Sequence, residues 1–172
     1  MKELMNEDDV TCALFRIAHQ IIERNKNPND ICLVGIWTRG VPIAQRLAYN
    51  IKKISMAEIP VGKLDITNFR DDLVNTQNQK KDKTEILFSI VGKTVILVDD
   101  VFFTGRTARA ALDALISHGR PAQVQYAALV DRGHIEFPIK ATFIGKNIPS
   151  SLSEEVIVHL KELDGETNVT IQ

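Results

Sequence analysis

Two periods alternate along this chain. Between Glu7 and Arg24, the residues Val10, Ala13, Leu14, Ile17, Ala18, Ile21 and Ile22 recur at steps of three and four. That spacing predicts an amphipathic helix with Cys12, Arg16, His19 and Glu23 on its outer side. A turn cluster around Pro28 ends it, and Ile31–Ile36 is an apolar run of strand length. Trp37-Thr38-Arg39-Gly40 then leads into a second helical pattern, with Ile43, Ala44, Leu47, Ala48 and Ile51 on one face and Pro42 in the first turn, where a helix tolerates proline. Residues 59–66 read as another strand. Residues 68–87 are polar and give little to bury, and a long stretch of that kind in a compact domain is either disordered or a lid. We take it as a lid at about 68–88.

The strand, polar loop and helix return at 93–119. Val95, Ile96, Leu97 and Val98 predict a buried strand, Asp99 and Asp100 an acidic tip, and Thr104-Gly105-Arg106-Thr107 a small turn before a helix. Ala108, Ala111, Leu112, Leu115 and Ile116 would form that helix's buried ridge, with His118 in the last turn and Gly119 as its stop. A helix start offers unpaired N–H groups and the positive end of its dipole, so a hydroxyl-rich loop feeding it suits a phosphate. Gly105 lets the backbone approach the anion. The two carboxylates suit something that carries hydroxyls beside its phosphate, and consecutive strand residues face opposite ways, so Asp99 and Asp100 should do different jobs. A phosphorylated sugar fits.

Two strand–loop–helix units predict an α/β fold with a parallel sheet core flanked by helices, its two loops facing one cleft at the carboxyl ends of the strands. Residues 123–130 read as a strand ending at Asp131-Arg132-Gly133-His134. Residues 142–145 and 156–160 are short strands without helical partners, which predicts a small antiparallel hood over about 131–172. Neither repeat nor linker divides the 172 residues, so we expect one domain.

Composition narrows the picture. A net charge of −1 argues against a general nucleic-acid-coating protein, so any polyanion surface must be local. No apolar run reaches membrane-spanning length, and the acidic first residues are wrong for a secretory leader, so we read the protein as cytoplasmic with no membrane partner. Cys12 and Cys32 lack the spacing of a metal site or a disulfide framework and are expected to be buried or half-buried free thiols. Gly92-Lys93-Thr94 matches the end of a P-loop but precedes a strand instead of following one.

The stretch from Val95 to Ala114 resembles the phosphoribosyl pyrophosphate (PRPP) motif of type I phosphoribosyltransferases. Gly35-Ile36-Trp37-Thr38-Arg39-Gly40, Gly62-Lys63-Leu64-Asp65-Ile66-Thr67, Phe69-Arg70-Asp71-Asp72-Leu73, Leu129-Val130-Asp131-Arg132-Gly133-His134 and Ile144-Gly145-Lys146-Asn147-Ile148-Pro149 resemble, in the same order, the pyrimidine operon attenuation protein and uracil phosphoribosyltransferase family. The resemblance implies a uridine-nucleotide-dependent, RNA-binding regulator of attenuation that also converts uracil and PRPP to UMP and pyrophosphate. It implies ribose ligation by Asp99 and Asp100, a 5′-phosphate loop of Thr104, Gly105, Arg106 and Thr107, and a pyrophosphate loop of Thr38, Arg39 and Gly40. Arg70 would close over PRPP from the lid root. Uracil would lie near Val130, Asp131 and Arg132, and a leader-mRNA hairpin would meet Arg16, His19, His134 and Lys146. Mg²⁺ would be carried mainly by PRPP, without a dedicated protein site, and the chain would form at least a homodimer.

Two variants of this reading are a regulator whose pocket senses nucleotide but turns over poorly, and a phosphoribosyltransferase without an RNA role. Four positions depart from the family's usual pattern: Ile135 for arginine, Trp37 for lysine, Phe15 for a small polar residue and Phe69 for tyrosine. Two lost cations reduce the phosphate contacts open to RNA.

Overall fold

The structure, a computed structural model, describes residues 2–73 and 81–172. Of the expected lid, residues 74–80 therefore lie outside the described residues. In chain order the elements are β1 (Lys2–Met5), α1 (Glu7–Arg24), β2 (Ile31–Ile36), α2 (Gly40–Ser55), β3 (Val61–Leu64), β4 (Thr94–Phe102), α3 (Arg106–Ile116), β5 (Gln123–Asp131), β6 (Phe143–Asn147), β7 (Val156–His159), a one-turn α4 (Lys161–Asp164) and β8 (Asn168–Ile171).

Five strands form a parallel sheet in the order β3-β2-β4-β5-β6. Helices α1 and α2 cover one face, where Leu14, Ile17, Ile21, Ile43 and Leu47 pack on Leu33, Ile96, Val98 and Leu129. On the other face α3 packs Ala108, Ala111 and Leu115 against Val34, Val95, Leu97 and Ala128. Each large aliphatic side chain buried this way contributes about 1.5–3 kcal/mol, which fixes both faces of the sheet. Because β2 lies between β3 and β4, the chain leaves β2 and β4 toward opposite sides of the sheet. That switch point leaves a crevice at their carboxyl ends, where ligands of open α/β sheets bind.

The sequence reading needs correction in several places. The strand expected at 142–145 is not part of an antiparallel hood: as β6 it extends the parallel sheet beside β5. The hood is instead a three-stranded antiparallel sheet, β1-β8-β7, and its first strand comes from the N-terminal residues that read as merely polar. The segment read as loop at 68–87 carries 3-10 turns at Thr67–Phe69 and Asp71–Leu73, and Glu85 bridges back to Lys63. Helix α3 stops at Ile116, which is exposed, while Ala110 and Ala114 join the buried face. Of the thiols, Cys32 is buried and Cys12 is exposed. Among the described residues, no helix is long and apolar enough to cross a membrane.

Candidate active site

Strand β4 delivers the acidic tip to the crevice, and the loop after it closes onto the start of α3. Gly105 caps that helix with φ 89°, and a Cβ there would sit 3.3 Å from the Phe137 side chain, so the turn requires glycine on both counts. The Thr104 carbonyl accepts the N–H groups of Glu136 and Phe137 at 2.9 and 3.1 Å, which anchors the turn to the segment after β5. A cavity of about 200 Å³ lies over it, lined by Arg70, Thr104, Gly105, Arg106, Thr107 and Tyr126 among others. Arg106 does not point its guanidinium freely into this cavity. It pairs with Asp71 and, at 2.8 Å, with Glu136, and lies over the Phe137 ring. Its side chain braces the cavity wall, and its backbone N–H at the helix start donates to the Thr104 hydroxyl at 3.3 Å.

The two aspartates are unlike. Asp99 is 6% exposed and accepts a 2.7 Å hydrogen bond from the Tyr126 hydroxyl, itself buried. Burial first, and the Asp100 charge second, push the Asp99 carboxyl well above the usual carboxylate range. Asp100 is half-buried, with one oxygen accepting the Val101 N–H at 2.9 Å. Asp99 thus floors the crevice and Asp100 presents the accessible carboxylate, so the pair does not face a ribose symmetrically.

A second cavity of about 240 Å³ adjoins the first, sharing Arg70, Val101 and Thr107, and is also lined by Trp37, Thr38, Arg39, Asp99 and Asp100. The two loops do meet in one cleft. The Trp37–Thr38 peptide is cis. At Gly40 a Cβ would lie 2.2 Å from the Val98 carbonyl oxygen, so the start of α2 rests directly on β4. Arg39 turns away toward the hood, donating to the Val158 carbonyl at 2.7 Å and pairing with Asp164 at 3.0 Å. Arg70 borders both cavities and is held by Asp72 through two hydrogen bonds, 2.9 and 2.6 Å.

At the end of β5 the three residues expected near a base separate. Val130 is fully buried in the core, so its side chain is not in the crevice. Asp131 accepts the Gly133 N–H at 2.8 Å, and its carbonyl accepts the Ile148 N–H. Arg132 is nearly buried, bonded to Ser150 Oγ and the carbonyls of Ser151 and Glu154, with its guanidinium 4.0 Å from the centre of the Phe103 ring. It shapes this wall instead of reaching into it.

The residues expected to meet RNA also divide. Arg16 donates to the Gly145 carbonyl and Lys146 to the Leu4 carbonyl, so both contacts are made at β6. His19 stacks edge to face on Phe15 on the same helix. His134 lies at another surface, against the Ser150 carbonyl and Phe103.

Sequence reading missed Tyr126, Arg109 and Asp65. Arg109 donates to the Phe69 carbonyl at 2.8 Å and so holds the segment that carries Arg70. Asp65 accepts from Thr67 and from the Lys83 N–H, tying the residue just before the expected lid to its later part. Only the strand register brings Tyr126 beside Asp99, and no local pattern marks it. Asp65 stands in a motif block, which was a usable signal. No group of three or more His, Cys, Asp or Glu that could hold a metal ion converges among the described residues.

Comparison with known proteins matches residues 3–161 to the phosphoribosyl transferase domain family. A protein of Chloroflexus aurantiacus named Bifunctional protein PyrR is 54% identical over 171 residues, covering 99% of this chain and 94% of that protein. The protein of the same name from Thermus thermophilus is 53% identical, with 98% and 94% covered. Among solved structures, a hypoxanthine-guanine phosphoribosyltransferase of Bacillus anthracis superimposes with a TM-score of 0.75 at 18% identity, covering 100% of this chain and 98% of that one. A hypoxanthine phosphoribosyltransferase of Trypanosoma cruzi gives 0.78 at 17%, covering 99% and 94%. At that identity the likeness is one of fold.

Proposed function

The chain belongs to the phosphoribosyltransferase family, among relatives named Bifunctional protein PyrR, and on that premise we propose that it joins uracil to PRPP, releasing UMP and pyrophosphate, and that it regulates pyrimidine-operon attenuation by binding leader RNA in response to uridine nucleotides. The observation that carries the reading is the pairing of a Thr104–Thr107 helix-start cradle with the Trp37–Gly40 loop across one cleft, with Asp100 open between them.

In this reading the 5′-phosphate takes the N–H groups and hydroxyls of Thr104, Gly105, Arg106 and Thr107, where the α3 dipole favours negative charge. Asp100 accepts from the ribose hydroxyls, while Asp99, held by Tyr126, fixes the strand end beneath it. Thr38 and Gly40 offer backbone to the pyrophosphate, and Arg39 joins them only by leaving Asp164. As the bond from C1 to pyrophosphate lengthens, positive character grows on the sugar, uracil N1 supplies the electron pair that replaces the leaving oxygen, and the N1 proton passes to the departing pyrophosphate or to water. Negative charge preorganised around C1 stabilises that state. Arg70 and a lid at about 68–88 would exclude water, which otherwise competes with uracil. Mg²⁺ carried mainly by PRPP would neutralise the pyrophosphate, without a dedicated protein site. Uracil would lie beside Asp131 and Arg132, read by backbone groups of that wall. RNA would meet Arg16, His19, Lys146 and His134. We place the protein in the cytoplasm as at least a homodimer.

A steady-state assay with PRPP and uracil is expected to yield UMP. Tight PRPP binding without turnover would reduce the protein to a nucleotide sensor, the alternative that the engaged side chain of Arg39 favours. Leader-RNA affinity is expected to rise with UMP. A weak affinity that ignores UMP would remove the regulatory half.

A further inference from the structure

The pyrophosphate side of the cleft is short of available cations. Arg39 and Arg70 line the second cavity, and each already has a carboxylate, Asp164 and Asp72. A dense polyanion entering here must either break those pairs or find another charge. One more cation stands at this rim. The ammonium of Lys83 lies 5.5 Å from the centre of the Trp37 ring, and among the described residues Lys83 takes part in no ion pair.

Lys83 is also held at its base. Its backbone N–H donates to Asp65, whose own N–H donates to the neighbouring Thr84 hydroxyl, and Thr67, bonded to the same Asp65, lines the cavity. The main chain of residue 83 is therefore pinned at the cleft mouth, while its side chain is exposed, lying beside the Trp37 ring and within the field of the Asp65 carboxylate without pairing to it. Such a contact on a half-exposed ring is weak, so a phosphate oxygen outcompetes it. Trp37 itself immediately precedes Thr38 in the pyrophosphate loop. The ring at position 37 seats a lysine reaching over from position 83.

We infer that Lys83 is the cation that meets the pyrophosphate group of PRPP, and that the Trp37 ring holds its ammonium at the rim until the substrate arrives. The inference rests on the phosphoribosyltransferase reading and names a residue outside the motifs that led to it. No covalent step is involved: the ammonium exchanges a π face for charged oxygens.

Trp37 is the only tryptophan in the chain, so its emission reports this exchange directly. Magnesium pyrophosphate titrated into the protein is expected to change that emission as Lys83 leaves the ring. Lys83→Gln is expected to weaken pyrophosphate binding and raise the KM for PRPP by about tenfold, the loss of one charge-assisted contact, with the KM for uracil unmoved. Lys83→Arg should recover most of the loss. Trp37→Leu, which removes the seat and keeps the charge, should bind pyrophosphate at least as well as the parent, measured by calorimetry. Parental PRPP and pyrophosphate affinity in Lys83→Gln would overturn the inference, and so would equal weakening in Trp37→Leu, because the ring would then be the contact. A parent protein that binds neither PRPP nor pyrophosphate would instead overturn the phosphoribosyltransferase reading, and the inference with it.

Discussion

At the residue scale, the unlike burial of two adjacent carboxyls separates stability from chemistry. Asp99 is held above its ordinary range by desolvation and by Asp100, so the folded state binds this proton more tightly than the unfolded chain does. The stability it contributes is full below the ordinary carboxyl pKa and is lost as pH rises toward and through the raised folded value. Asp99→Asn keeps a polar partner for Tyr126 without the buried charge. The variant should therefore gain about 1–3 kcal/mol over the parent at pH 8 and little at pH 4.5, read from urea denaturation at the two pH values. Asp100→Asn, which removes the charge beside Asp99, should not lower stability at pH 8 by urea denaturation, and should lower kcat/KM for PRPP by roughly a hundredfold as a ribose ligand is lost. The thiols make a parallel contrast. Burial raises the Cys32 pKa to about 11, whereas Cys12 is exposed, so a thiol reagent at pH 8 should label one cysteine quickly and the second only on unfolding.

At the element scale, both loops depend on backbone touching backbone. Gly40→Ala drives a methyl group into the Val98 carbonyl, and relieving it means lifting α2 off β4. The expected loss is about 3 kcal/mol or more by denaturation, with UMP synthesis falling alongside. Gly165→Ala is the control: its φ is 82°, with open space where the Cβ would go, so it should cost only about 1–2 kcal/mol of backbone strain. This dependence explains which parts of the fold were legible in the sequence. Helix α1 and strands β2 and β4 announce themselves because their burial repeats over many neighbouring residues. The Thr104–Thr107 turn was legible because its chemistry is local. Strand β1 was not, because its four residues pair with β8 at the far end of the chain, and a short polar edge strand carries no period of its own. Residues 142–145 were read correctly as a strand and assigned to the wrong sheet, since their partner is set by how α1 packs beside them. Arg39 and Arg106 were placed in the two anion loops, but the pairs that engage their side chains were not legible, because Asp164, Glu136 and Asp71 reach them only through the fold.

At the scale of the whole molecule, β6 links the proposed base site to the proposed RNA surface. Asp131 on β5 lies in register with Asn147 on β6. Two residues back along β6, the Gly145 carbonyl receives Arg16, and the intervening Lys146 reaches Leu4. A nucleotide that orders the end of β5 would therefore bias the strand that orients both cations. Neither cation has a carboxylate partner among the ion pairs of the described residues, so both keep their charge for phosphate. His134 lies on a different wall and is bonded to a backbone carbonyl. Arg16→Ala and Lys146→Ala should each weaken leader-RNA binding at every sequence and reduce the slope of log affinity against log salt by about one. His134→Ala should change the slope less, since its ring is already engaged by the Ser150 carbonyl. UMP should raise the affinity of the parent and of His134→Ala, and should do less for Arg16→Ala, which has lost its anchor on Gly145. Titrations of labelled leader RNA at several salt concentrations, with and without UMP, measure both quantities, and an equal UMP response in all four proteins would place the coupling outside β6.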